Sequence, residues 1–541
     1  MGFKSAVYNA ATEFATEHRG WFVIFFVLPF SLAFDVFFAL RAEVVRRLYS
    51  APELHQERIK KIQDDVRAWK ASGSQKRLCT ARGGWQSISP GYRTYKEKST
   101  KIAINLYDIL ELDKKAMTVR CEPMVNMGQL SHFLIPENLT LPVLPEMDDL
   151  TVGGLLMGVG IETSSHKYGL FNDCVVAAEL VLADGTLVRC SKTENRDLFD
   201  AIPWSYGTLG LLVSVTLELI PCKPYVKVEY HPCVSKAAGV RTFREYAEAG
   251  VPSDFVEALA FSAEHMVVMP AWFASAEEAR AAVAAKSATI NSIGTWHKPW
   301  FYKHVESLLA KPKPVTEFIP LRDYYHRHTK SIFWELEQII PVGNHPLFRL
   351  LLGWAVPPKV SFLKLTQTEA LRKLYETQHV IQDMLVPTSR FGDALGIFDA
   401  KFDLYPLWLC PYRAYDYSSA DGTPHRCFLK KPQACDPASK YEMYVDLGAY
   451  GIPRAVLEKR PFDIVDVSRQ VEAWVESVHG FQMLYADSYM TRDEFRTMFD
   501  HTHYDAMKAK YDPHGAFPEV FEKVCKKGAE SAAWDKGTKA K

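Results

Sequence analysis

The 541-residue chain has no surplus of charge of either sign: 64 lysines and arginines face 64 aspartates and glutamates. That balance removes the basic field that nucleic-acid binding rests on. Its ten cysteines include no Cys-x-x-Cys pair, which excludes a zinc ribbon or a disulfide framework and fits a reducing compartment. His326-x-His328 and His501-x-His503 have no carboxylate or cysteine at metal-site spacing, so no metal is expected. No Gly-Lys-Ser or Gly-Lys-Thr occurs in the glycine-rich stretch, which excludes a phosphate loop of the nucleotide-hydrolase kind. No internal repeat is present.

What the chain does have begins with one long apolar run. Trp21 to Leu40 reads WFVIFFVLPFSLAFDVFFAL, about the twenty residues that a bilayer-spanning helix needs. The flanks do not resemble a signal peptide, whereas Pro29 and Asp35 keep a buried soluble helix open as an alternative. Arg41, Arg46 and Arg47 follow the run against Lys4 and Arg19 before it. The positive-inside rule then leaves residues 1–20 in the lumen, 21–40 as a single-pass anchor and the bulk in the cytosol. The sequon Asn138-Leu139-Thr140 is expected to be unused.

At this length two to three domains are the natural expectation. Leu54 to Ala71 has helical periodicity, Ile102–Leu106 and Met117–Glu122 read as strands joined by 106–112, and Met127–Ile135 reads as a helix. Val175–Leu182 and Thr186–Cys190 form a hairpin about Ala183-Asp184-Gly185, a short helix starts at Asp197, and Leu211–Ile220 is a strand. The pattern is an α+β domain over 54–225. An aromatic-rich α+β substrate or cap domain covers 226–472, a C-terminal segment 473–525, and a disordered tail 526–541.

The densest chemistry lies in Asp148-Asp149-Leu150-Thr151-Val152-Gly153-Gly154-Leu155-Leu156-Met157-Gly158-Val159-Gly160-Ile161-Glu162-Thr163-Ser164-Ser165-His166-Lys167-Tyr168-Gly169. Glycine at this density is poor helix interior, but it lets a ligand approach the backbone, and the hydroxyls add donors. The run suits a diphosphate held by main-chain N–H groups. It is not a Rossmann fingerprint, because no third glycine follows Gly158-Val159-Gly160.

Three elements in order resemble the vanillyl-alcohol-oxidase-type (PCMH) FAD-binding fold. They are Ala81-Arg82-Gly83-Gly84, the Leu150–Gly154 run with Tyr168-Gly169, and Asp197-Leu198-Phe199 followed by Gly207-Thr208-Leu209-Gly210. The resemblance to the delta(24)-sterol reductase (seladin/Diminuto) family is more specific and runs almost the length of the chain. It rests on DDLTVGGL ending at 155, SSHKYGLF at 164–171, PLRDYYHRHTKSIFWELEQIIP at 320–341, GFQMLYADSYM at 480–490 and AFPEVF at 516–521. The resemblance implies that both glycine loops contact the FAD diphosphate, with Arg82, Gly83, Gly84, Trp85, residues 151–166 and Gly169 as cofactor ligands. Gly207 and Gly210 would hold the adenine end. Many relatives in the wider fold carry a flavin-linked histidine after the first glycine turn; Trp85 stands there, so the FAD is expected to be non-covalent.

The family resemblance further implies NADPH-driven reduction of a Δ24 sterol side chain at the endoplasmic reticulum membrane. An isolated trisubstituted alkene accepts hydride poorly, so a proton at C24 must accompany hydride arriving at C25, and a general acid is needed in a dry slot. Tyr485, Asp487 and Glu162 are the candidate catalytic residues, with Tyr489 and His166 behind them. Tyr324, Tyr325, His326 and His328, beside Arg327, are candidate substrate or nicotinamide contacts. No separate NADPH motif is visible. The sterol would come from the bilayer, with Leu347 to Trp354 the first candidate to dip into it. Open alternatives are an oxidase of the same fold on a polar substrate, a plant-type Δ24(28) isomerase and reductase, and a non-catalytic anchored binding protein. Oligomeric state is not readable.

Overall fold

The computed structural model describes residues 19–86, 94–248, 252–418, 428–435, 438 and 440–526. The expected tail beyond Lys526, the first eighteen residues of the expected lumenal segment and the Trp85 side chain lie outside the described residues.

The apolar run forms a helix from Arg19 to Leu48, interrupted by one wide π turn at Val23–Val27. Pro29 explains the turn: it lacks an N–H and its ring crowds the carbonyl four residues back, so the preceding turn widens. The segment Arg19–Val45 is long and apolar enough to cross a membrane, with mean hydropathy 2.4. Ser50 then caps a second helix, Ala51–Ala71, by accepting from the Glu53 N–H. This helix buries His55, Ile59, Ile62 and Val66, one stripe at helical spacing, against Leu78, Ile102, Val181 and Leu211.

The first domain is built on a five-stranded antiparallel sheet, ordered Ile109–Asp113, Thr118–Cys121, Leu211–Glu218, Val175–Val181 and Leu187–Ser191. The hairpin between the last two turns at Gly185, whose φ of +83° needs glycine. A small parallel pair, Leu78–Thr80 with Thr100–Ile102, flanks this sheet and carries the first glycine loop. The strand expected over 102–106 ends at Ile102, and the expected connection contains the edge strand Ile109–Asp113. The chain leaves the sheet there because Asp108 is taken by Arg41 and Arg58 while its N–H donates to Glu122.

The second domain is a nine-stranded sheet. Its order is Thr289–Ile290, Val315–Pro320, Tyr225–Cys233, Met266–Ala274, Phe255–Ala260, Leu407–Tyr415, Tyr441–Gly451, Val380–Pro387 and Phe481–Gln482. Neighbours are antiparallel except for the edge pair Thr289–Ile290 with Val315–Pro320. All six residues of Phe255–Ala260 are buried, as a central strand covered on both faces requires. The helices Lys236–Ala247, Phe391–Lys401 and Ile464–Ser477 pack on this sheet. Beyond the last strand the chain returns to the first domain. The helix Thr502–Tyr511 packs on Arg196–Ala201, Lys508 donates to the Thr208 carbonyl, and Leu78 N–H donates to the Ala516 carbonyl.

Candidate functional site

Between the two domains lies a cavity of about 1340 Å³, and the glycine loops form one end of it. At the first loop the Gln86 side chain accepts the Gly83 N–H at 3.0 Å, and Arg82 donates to the Gln86 carbonyl at 2.8 Å. Arg82 reaches the Thr151 hydroxyl at 3.4 Å, and among the described residues no carboxylate lies within ion-pair distance of it. Its Nε has no partner, and burial pulls its pKa down. A desolvated guanidinium without an acid is costly, so this position suits an anion supplied from outside the chain.

The second loop is a six-residue helix, Val152–Met157, preceded by extended Thr151. This corrects the reading of the glycines as unfit for helix. Gly153 donates to the Pro123 carbonyl at 2.8 Å, and a Cβ there would sit 2.8 Å from Pro123 Cβ. Cβ atoms at Gly158 and Gly160 would meet the Gly154 carbonyl and Leu155 Cδ2, each at 2.7 Å. Close packing therefore sets three of these glycines. Gly154 differs: only the Thr151 hydroxyl, at 3.1 Å, stands near its missing Cβ, and it opens on the cavity. Gly207, at φ +68°, is equally open, with Met157 Sδ and Lys523 Nζ its nearest neighbours. Arg82, Gly154, Gly207 and Lys523 thus put two cations and two uncrowded backbone positions on one wall, which fits the diphosphate of FAD.

Other expected cofactor ligands stand elsewhere. Val152 and Leu156 point into the core, while Thr163, Ser164, Ser165 and His166 are buried behind the cavity. Ser164 donates to the Pro142 carbonyl, and His166 bonds the Thr163 and Ser253 carbonyls, with burial lowering its pKa to about 4. Gly169 (φ +80°) makes a turn closed by Asp173, which accepts the Leu170 N–H. Gly83, Gly84, Thr151, Leu155, Met157, Val159, Ile161 and Gly210 line the cavity beside Gly158 and Gly160.

Glu162 belongs to a buried ion network. Arg327 bonds Glu162 at 2.8 Å and Glu257 at 2.6 and 2.9 Å, while His328 and Trp408 contact Glu257 at 3.2 and 2.9 Å. These charges hold the Glu257 carboxyl far below its ordinary pKa despite its burial. Tyr324, Tyr325, His326 and His328 are likewise buried and do not line the cavity. Tyr325 accepts from Thr140, and His326 bonds Ser131 at 2.7 Å. Ile332 and Phe333 of the same string do line it, both with positive φ (47° and 57°). A β-branched residue in that region is strained, and such strain concentrates at functional walls.

At the middle of the cavity stands a group that the sequence reading missed. Asp383, on Val380–Pro387, lies opposite Gly448, and Asp446 sits two residues along the neighbouring strand on the same face. Both carboxyls are fully buried. Burial raises the Asp383 pKa to about 7, and burial with the neighbouring Asp383 raises that of Asp446 further. Two acids so placed hold at least one proton at neutral pH. The Tyr450 hydroxyl donates to Asp383 Oδ1, and the Tyr485 hydroxyl also bonds this carboxyl. A Cβ at Gly448 would lie 2.5 Å from the Tyr450 hydroxyl, so glycine makes room for that bond. Asp383, Tyr450, Tyr485 and the protonation-prone Glu146 all line the cavity. Asp487 lines it too, but its carboxylate pairs with Lys526 at 3.0 Å, and Tyr489 also bonds Lys526. The legible signal for the pair was an acid set among mostly apolar residues inside each of two strands, in the strings VIQDMLVP and YVDLGAY.

Beyond the acids Phe333, Ile339, Val360, Leu363, Ile381 and Trp408 form apolar stretches of wall, interspersed with Glu335, Lys364, Gln367, Arg372 and His379, and the cavity reaches Arg19 of the first helix.

Residues 58–191 match the FAD binding domain family. The chain is 49% identical over 515 residues to the delta(24)-sterol reductase of Homo sapiens, covering 95% of each chain. It is 43% identical to the delta(24)-sterol reductase homolog of Caenorhabditis elegans over 97% of this chain and 98% of that one. With the delta(24)-sterol reductase of Arabidopsis thaliana the identity is 39%, over 96% and 93% of the two chains.

Proposed function

The chain belongs to the delta(24)-sterol reductase family, an oxidoreductase with an FAD-binding domain, and from that premise we propose that it reduces the C24=C25 bond of a sterol side chain at the expense of NADPH. Bound FAD supplies the hydride that reaches C25. The protein supplies the rest: a cradle for the cofactor, an apolar sleeve for the side chain, and a proton.

The observation that carries this reading is the carboxyl pair with its tyrosines in a cavity that continues into apolar walls. Tyr485 Oη gives its proton to C24 as hydride arrives at C25, and the Asp383–Asp446 pair restores that proton to the tyrosine oxygen. The alkene gains one proton and one hydride and is reduced by two electrons, so the step balances. Low dielectric strengthens the hydrogen bonds that hold this relay and keeps water from competing for the cation character at C25. Gln382 and Gln482 each donate to the Asp487 carbonyl at 2.8 Å and fix the backbone beside Tyr485.

The setting proposed is the endoplasmic reticulum membrane, with the body in the cytosol. Cys79, Cys121, Cys174, Cys190, Cys222, Cys233 and Cys410 are free thiols, as a reducing compartment favours. The test separates two half-reactions of the purified flavoprotein under anaerobic conditions. NADPH should bleach the flavin, and a Δ24 sterol should then restore its colour. A reduced flavin that ignores the sterol and responds only to oxygen would overturn the proposal in favour of an oxidase.

A further inference from the structure

The first helix is long enough to span a bilayer, yet it touches the globular body near its start, its middle and its end. At its start Arg19 donates to the Tyr375 hydroxyl and to the Leu363 carbonyl, each at 3.2 Å. Gly20 lies so close to the Ile339 carbonyl that a Cβ would come within 2.8 Å. Val23, Ile24, Val27 and Leu28 belong to the main hydrophobic core. Midway, Ser31 accepts the Lys359 N–H at 2.9 Å, Asp35 pairs with the Lys359 ammonium at 2.6 Å, and Phe34 meets Phe362 edge-on. Near its end Phe38 packs on Tyr107, and Arg41 holds Asp108 with bonds of 2.6 and 3.1 Å.

From Arg19 to Arg41 such a helix rises about 33 Å, roughly the thickness of a hydrocarbon core. A helix crossing that core meets its globular domain at one end only. Here both ends touch the same body, so crossing would carry Asp108, Arg58 and Lys359 into lipid at several kcal/mol each.

The opposite face is bare and aromatic. Trp21, Phe25, Phe26, Phe30, Phe37 and Leu40 are exposed, Phe30 to 72%. Beside this helix packs the turn Gly353–Ala355 that ends the helix Pro346–Leu352. That second helix shows Leu347, Leu350, Leu351 and Trp354 to solvent. Trp354 donates its only polar atom to the Leu351 carbonyl, so the exposed ring has nothing left to ask of water. Polar contacts turned inward with tryptophan, phenylalanine and leucine turned outward leave a surface suited to lipid, with aromatic rings of the kind found at the interface.

We propose that the first helix lies in the plane of one leaflet, and that it forms with Pro346–Ala355 a single monotopic membrane face instead of a span. Its occupant is the acyl-chain and headgroup boundary of a bilayer. The cavity extends to the start of the first helix, where Arg19, Ile339, Leu363 and Tyr375 line it, so a sterol taken from the leaflet would have a path into the protein.

The test uses full-length protein carrying an epitope ahead of Met1, in sealed microsomes, and needs no activity. An in-plane helix keeps the epitope on the side of the body, so added protease removes both together. An epitope protected until detergent is added would overturn the proposal. The double variant Leu347→Glu, Leu351→Glu should lower flotation with phosphatidylcholine vesicles at least tenfold relative to wild type. Unchanged flotation, or a dimer in detergent that the double variant dissolves, would also overturn it, the latter by making a second copy the occupant.

Discussion

Asp383 and Asp446 sit diagonally on neighbouring strands, both fully buried, and this fixes what their removal should do. Asp383→Asn keeps the shape and the hydrogen bond to Tyr450 but removes the proton reserve. The relay through Tyr485 should then stall, and sterol-driven flavin reoxidation should fall by about 10²–10⁴, the usual worth of a positioned proton transfer. NADPH-driven bleaching and flavin content should stay at wild-type levels; stopped-flow measurement of both half-reactions decides. The sign of the pH dependence follows from the raised pKa. The native Asp383 keeps its proton up to about pH 7, whereas an unfolded aspartate loses it near 3.9. Sterol reoxidation should therefore fall as pH rises through about 7. Stability should decline over the same rise, because between these two values the native state binds more protons than the unfolded one. Glu472, raised to about 7 by burial, adds to the stability trend but lies away from the cavity. Tyr485, Tyr450 and Glu146 also interact with the pair; burial and the acids push both tyrosines up, so they stay neutral in this range and do not reverse the sign. At the other wall, Gly154→Asp puts a carboxylate where only the Thr151 hydroxyl stands near and where Arg82 awaits an anion. FAD should be lost, read as flavin absorbance per polypeptide, with the far-ultraviolet circular dichroism unchanged.

At the scale of elements, the Glu162–Arg327–Glu257 network ties the glycine-loop domain to the central strand of the large sheet. Glu257→Gln leaves a fully buried guanidinium with one acid in place of two. Breaking a buried pair this way costs about 3–5 kcal/mol, so the urea midpoint should drop clearly, while the FAD-bound spectrum of the folded fraction stays the same. What the sequence made legible divides along similar lines. Local signals sufficed for the hairpin at Asp184-Gly185, for the helix Ala51–Ala71 with its buried stripe, and for the glycine loops. Each is decided by residues within a few positions of one another. The helix Val152–Met157 was hidden because Gly153 within it answers to Pro123, packed against it from another segment. Asp383 and Asp446 were hidden because a proton-sharing pair exists only in the register of strands some sixty residues apart. Tyr324 to His328 looked polar and available in sequence, but Arg327 draws its neighbours inward to satisfy Glu257.

For the whole molecule, one cavity joins three regions of different chemistry: the glycine loops, the buried Asp383, and a mixed apolar and polar end at the first helix. Their order is what a reaction between a charged cofactor and a membrane lipid requires. Under the proposed function the cofactor's phosphates would sit where main chain and arginine converge, the reacting carbons beside the acids, and the ring system toward the lipid side. The end at the first helix can be narrowed without touching the other two. Val360, on the short helix Val360–Leu365, lines that end and is only partly buried, so Val360→Phe can add bulk with limited strain. It should raise KM for the sterol several-fold and leave kcat near wild type, since it removes binding common to ground and transition states. NADPH-driven flavin bleaching should be unaffected. The opposite split, a fall in kcat at constant KM, would mean that the sterol enters by another route and that Val360 instead shapes the reacting end. Comparing sterols with intact and shortened ring systems sharpens the distinction, because only a substrate that fills this end should feel the added phenyl ring.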